Sequence, residues 1–120
     1  MVNVLGGTLV SCSCSPMTGY FRDGLCRTDE SDRGSHTVCV VMTAEFLEYS
    51  QVQGNDLSTP RPEYEFPGLN PGDKWCLCAS RWMQAYNAGC APDVHLEATH
   101  IRCLDFVELE MLQKHQISGA

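Results

Sequence analysis

The segment from Gln53 to Lys74, QGNDLSTPRPEYEFPGLNPGDK, holds four of the chain's six prolines and three of its ten glycines. No regular helix or central strand survives that density, because each proline lacks an N–H and fixes its own φ. A stretch of this length without regular structure is uncommon in a compact domain unless it serves a function or is disordered. Leu57, Tyr64, Phe66 and Leu69 are apolar anchors that a disordered linker lacks. The expectation is an ordered, proline-stiffened loop packed across the body, with the regular elements on either side of it.

Before the loop, GYFRDG (19–24) and HTVCVVM (36–42) read as strands, the second β-branched and apolar on both faces and therefore central. Between them RTDESDRGS is charged and small, a solvated loop. Thr43 is placed to cap a helix over 44–52, with Glu45 in its first turn and Gly54 as its stop. After the loop, WCLCA (75–79) reads as a strand and SRWMQAYNAG as a helix over 80–88, capped by Ser80 and stopped by Gly89. DVHLEA (93–98) alternates as a half-buried strand with His95 and Glu97 outward, and ELEMLQKHQ gives a last helix over 108–116. The 75–98 unit suits a crossover connection. The resulting fold class is α+β, a small two-layer sandwich with a mixed sheet, short helices and one long ordered Pro/Gly-rich loop. At 120 residues it fits one domain, residues 1–120.

Charge narrows the function classes. Fifteen acidic against eight basic side chains leave a net charge of -7, and the basic residues form no cluster in sequence. Nucleic acid and anionic membranes are disfavoured as partners. The opening MVNVLGGTLV has neither the basic start nor the apolar run of a secretory signal. Several of the eight cysteines sit in apolar runs, where a free thiol packs as a small hydrophobe. Together these lead to an expectation of mostly reduced thiols in a cytoplasmic protein.

The blocks TGYFRDG, HTVCVVMTAEFLEYS, GNDLSTPRPEYEFPGLNPGDKWCLCASRW and APDVHLEATH, with the closing leucine-containing helix, resemble the domain of unknown function 2237 over nearly the whole chain. The resemblance implies a small two-layer α+β fold and carries no activity with it. Cys12, Cys26, Cys39, Cys76 and Cys78 fall on the family's pattern, whereas Cys14, Cys90 and Cys103 depart from it.

Three functional readings follow from the residues. The first is a binding module for a small polar or anionic ligand. Asn55, Asp56, Ser58 and Arg61 of the loop would grip it, together with Arg81 and Trp82 at a helix start whose N–H groups favour anions. Turn formation by Asn55 and Asp56, and a surface role for Arg81, are the plainer alternatives. The second reading is a thiol site, zinc or redox, around Cys76 and Cys78. The two are spaced to share a strand face, and Cys39, Cys26, the Cys12–Cys14 pair and His36 are further ligand candidates. A Cys76–Cys78 disulfide would be strained at that spacing. Cys78 also precedes a helix, where the dipole favours a thiolate nucleophile. His36 and Cys39, three apart on a strand, point to opposite faces. The plain alternative is a row of buried structural thiols. The third reading is a protein-interaction domain using the loop's aromatics. No phosphate loop, Ser-His-Asp ordering or His-Glu-x-x-His run is present, so no catalytic motif is recognised.

Overall fold

A computed structural model describes residues 1–117. Its centre is β1 (His36–Val41), flanked by β2 (Lys74–Cys78) and β3 (Asp93–Val94) in the order β2-β1-β3. Both pairings are antiparallel, so β2 and β3 run parallel to each other without touching, and Val94 of β3 adds an isolated parallel bridge to Gln116. Three helices complete the frame: α1 (Ala44–Val52), α2 (Ala79–Asn87) and α3 (Leu109–Lys114). Two short 3-10 helices, Leu96–Ala98 and Ile101–Asp105, lie between β3 and α3.

Alternation along the strands divides the interior into two layers. Val38 and Val40 of β1 and Trp75 and Leu77 of β2 turn one way, into a core with Phe46 and Leu47 of α1, Trp82 of α2 and Leu112 of α3. Cys39 and Cys76 turn the other way, beneath the N-terminal segment that brings Cys12 and Cys26. Met42 closes the main core and ties the end of β1 to the loop, its carbonyl accepting from Gly72 N–H at 2.8 Å.

The long loop is ordered by the chain's own hydrogen bonds. Leu69 N–H donates to the Leu57 carbonyl at 2.8 Å, and Arg61 and Phe66 pair as an isolated bridge around a 3-10 turn, Pro62–Tyr64. Leu69 is buried, and Phe66 packs edge-on to Trp75 with ring centroids 5.3 Å apart.

Several sequence expectations need correction. Residues 19–24 form no strand: Gly19, Arg22 and Gly24 all have left-handed φ, and Gly24 N–H closes a turn onto the Thr18 carbonyl. Ser80 does not cap α2, because the helix begins at Ala79 with Cys78 in the capping position. β3 stops after Val94, since the Thr99 hydroxyl intercepts the ladder, accepting from Cys39 N–H at 3.2 Å and donating to the His95 carbonyl at 2.9 Å. His95 is accordingly half-buried rather than outward. The thiols are not mostly reduced either: Cys12–Cys39 and Cys26–Cys76 are disulfides, which removes the argument that placed the chain in a reducing compartment. Among the described residues no helix is long and apolar enough to cross a membrane.

Candidate functional site

The N-terminal turn and the long loop rise on either side of β2, the outer strand of the sheet, and leave a cleft of about 560 Å³ between them. The loop contributes Asn55, Leu57, Arg61, Tyr64 and Phe66. Tyr20 and Arg22 form the opposite wall, and the edge of β2 from Trp75 to Cys78 forms the floor, with His36 beside it. Arg81, in the first turn of α2, closes one end.

The electrostatics of this cleft oppose those of the protein. Of eight Lys and Arg side chains in the whole chain, Arg22, Arg61 and Arg81 meet here, and no Asp or Glu lines the cleft among the described residues. Arg22 and Arg81 have no carboxylate partner among the described residues, whereas Arg61 has a long, exposed ion pair with Glu63 and lies near enough to Asp56 to help hold that carboxyl low. Arg22 lies over the Trp75 ring at 5.0 Å and donates to the Gly19 carbonyl at 2.7 Å, a cation–π placement that keeps its charge at the cleft wall. Arg81 donates only to neutral oxygens, the Gln53 carbonyl and Gln84 Oε1, both at 3.3 Å. Arg61 comes no nearer than 3.9 Å to Glu63, with both side chains more than half exposed.

A second arrangement lies on the cleft floor. The register of β1 on β2 slips by one residue, so that Thr37 has no partner and His36 stands opposite Cys78. Directly opposed residues of an antiparallel pair share a face, and His36 and Cys78 both line the cleft. The expectation that His36 points away from the Cys39 face assumed regular alternation, and the bulge overturns it. His36 is held from behind by Asp32, whose side chain is 0% exposed. Asp32 Oδ1 accepts from His36 Nδ1 at 2.6 Å; its Oδ2 accepts from His36 N–H and from Thr28 Oγ1, each at 2.9 Å. Tyr20 stacks on the imidazole with centroids 6.2 Å apart. Gly34 leaves space for the ring, since a Cβ there would stand 2.8 Å from His36 Cε1. Cys78 carries a free, partly exposed thiol 3.2 Å from Ser80 Oγ, and it makes no capping hydrogen bond to α2.

Beneath the floor lies the cysteine cluster. The Sγ atoms of Cys12, Cys26 and Cys39 are within 4.8 Å of one another, and Cys76 is bonded to Cys26. Three buried cysteines therefore lie close enough to bind a metal, with their sulfurs committed to disulfides. Of the free thiols, Cys14 is exposed, burial pushes that of Cys103 up to about 12, and burial followed by the Glu45 carboxylate raises that of Cys90. Raised values make Cys103 and Cys90 poor nucleophiles.

The structure distributes the sequence candidates as follows. Asn55, Arg61 and Arg81 meet in the cleft; Asp56 and Ser58 do not line it. The Asp56 carboxylate is spent on its own turn, accepting from Ser58 N–H, Thr59 N–H and Thr59 Oγ1. Trp82 is fully buried and donates its Nε1 to the Pro92 carbonyl at 3.1 Å, on the far side of β2 from the Cys39 layer. Of the thiol candidates, Cys26, Cys39 and Cys76 gather in the cluster with Cys12, while Cys78 stands apart in the cleft and Cys14 points to solvent. Sequence reasoning missed Arg22, Tyr20 and Asp32. The available signal was the Asp–x–x–x–His spacing from Asp32 to His36, which lay in a segment read only as a charged loop.

No curated protein matches this chain. The family model described as uncharacterized protein conserved in bacteria (DUF2237) matches residues 2–116, which includes every residue of the cleft and of the cysteine cluster, and the chain belongs to that family.

Proposed function

We propose that the protein binds a small organic anion in the cleft between the long loop and the β2 edge. The observation that carries this reading is the convergence of Arg22, Arg61 and Arg81 in a cleft with no lining carboxylate, within a chain of net charge -7. Tyr20, Tyr64, Phe66 and Trp75 add aromatic walls, which favour a ligand with a flat or apolar body beside its carboxylate or phosphate. Calorimetric titration with phenyl phosphate and with inorganic phosphate tests this. Phenyl phosphate is expected to bind more tightly, and Arg61→Ala or Arg81→Ala to weaken it by about tenfold each, the scale of one lost charge-assisted hydrogen bond. Absence of binding, or binding indifferent to both substitutions, overturns the reading.

The closeness of the Cys12, Cys26 and Cys39 sulfurs, with Cys76 tied to them, favours a second reading. When reduced, these four cysteines present the donor set of a structural zinc site, and reduction exchanges two disulfides for it. Cys78 takes no part. In this reading the cluster responds to redox conditions, and the protein can reside in a cytoplasm that keeps it reduced. Elemental analysis after reduction in the presence of zinc is expected to give one ion per chain, lost in Cys12→Ser and retained in Cys78→Ser. A reduced protein without zinc, or zinc retained by Cys12→Ser, rejects it.

A further inference from the structure

We infer that Cys78 is a nucleophile served by His36 as general base, with Asp32 as the positioning residue, and that it takes an acyl group from a small anionic ester or thioester bound in the cleft. The inference deepens the anion-binding reading and rests on it. Three features come together. Cys78 and His36 are cross-strand partners, a position in which facing Cβ atoms stand about 4.5–5.5 Å apart. Asp32 is buried and bonded to His36 Nδ1, which fixes the tautomer that leaves Nε2 to accept a proton. Cys78 is free and lines the cleft together with three arginines that would draw an anionic substrate into it.

The chemistry balances within the site. Cys78 Sγ attacks the acyl carbon while its proton passes to His36 Nε2, and the carbonyl electrons move onto oxygen. The first-turn N–H groups of Ser80 and Arg81 have no intrahelical acceptor and stand next to Cys78 in the chain to receive that charge. Collapse expels the alcohol or thiol leaving group, which takes the proton from His36, and an acyl-Cys78 thioester remains. Water then attacks with His36 accepting its proton, the carboxylic acid departs, and the proton returns to Sγ.

The test uses the Cys14→Ser protein, because Cys14 is an exposed competing thiol outside the cleft. Treated with the mono-4-nitrophenyl ester of terephthalic acid, whose para carboxylate cannot reach its own ester, it is expected to release a burst of one nitrophenolate per chain and to gain the acyl mass on the Cys78 peptide. Neutral 4-nitrophenyl acetate should react at least tenfold more slowly after correction for solution reactivity. His36→Gln, a change at a side chain 40% exposed, should lower the acylation rate about 100-fold, the lower end of general-base contributions. Asp32→Asn should alter the pH profile of acylation, which a purely structural role would leave unmoved. Acylation spread over other cysteines, or a His36→Gln rate equal to that of the parent, overturns the inference. Phenyl phosphate binding measured on the same protein separates the two readings. Binding without acylation removes the nucleophile and keeps the anion receptor, whereas no binding removes the receptor on which the nucleophile depends.

Discussion

Cys39 and Cys76 face each other in register across β1 and β2, yet they are not bonded to each other; each reaches outward to a cysteine of the N-terminal segment. The paired strands thus act as an anchor for Cys12 and Cys26, and the segment between these two carries the Tyr20–Arg22 wall of the cleft. The bridges span 27 and 50 residues of sequence, so each removes considerable freedom from the unfolded chain. Replacing Cys12 and Cys39 together by Ser and Ala should cost about 2–4 kcal/mol in urea unfolding, with the unfolding slope giving a check on the unfolded state.

The opposite wall depends on Gly68. It has φ +78, and a Cβ would lie 2.5 Å from the Ser58 carbonyl oxygen. Gly68→Ala must both adopt a left-handed conformation and push the two arms of the loop apart. A loss of about 1–3 kcal/mol is expected, together with weaker phenyl phosphate binding, because Arg61 and Phe66 lie within the closed loop. Thermal unfolding with and without the ligand reads both effects.

Trp82 offers a contrasting test, since it lies in the main core away from the proposed chemistry. Trp82→Phe removes the donor to a buried Pro92 carbonyl and leaves a smaller ring in the Trp82 space. Stability should fall by about 1–3 kcal/mol, with phenyl phosphate affinity unchanged in the folded protein. A loss of affinity in a fully folded variant would contradict the placement of the site.

Acid should destabilise the fold in two stages. Burial, followed by the charge of Lys74 for His95 and of Arg102 for His100, lowers both imidazoles from their ordinary 6.5. His100 Nδ1 also accepts from Arg102 N–H, which requires the unprotonated nitrogen. Below about pH 6.5 the unfolded chain binds these protons more readily than the folded one, so stability declines as pH falls toward the lowered folded values and then levels off. A second decline belongs below pH 3.8, where Asp56 loses the Thr59 and Ser58 hydrogen bonds that hold its carboxyl low. Urea midpoints between pH 8 and pH 3 measure both, and His100→Asn should flatten the first.

The elements legible in the sequence are those with strong local signals. Thr43, Glu45 and Gly54 delimit α1 as expected, and Thr43 Oγ1 accepts from Phe46 N–H at 3.0 Å. The proline-dense loop is ordered because Leu57, Phe66 and Leu69 give it apolar purchase. The site was only half legible. Arg61 and Arg81 were visible as cations near turns, but Arg22 sat in an aromatic run that imitates a strand, and left-handed φ at a non-glycine residue leaves little trace in sequence. His36 was misplaced because a single unpaired residue, Thr37, reverses the parity of the strand, and periodicity cannot register a bulge. The disulfides depended on tertiary proximity, which spacing alone does not encode.

In the proposed reading, the contrast between an acidic chain and a cleft lined by no carboxylate would work as a size filter. Screening limits the reach of the three guanidinium groups to about 10 Å at ordinary salt, so a compact anion feels mainly their pull. A polymer of phosphates would have to lay its remaining charges against a protein of net charge -7, and repulsion there is expected. On that reading a labelled oligonucleotide is expected to bind far more weakly than phenyl phosphate, and lowering the ionic strength should widen the preference for the short anion over the long one.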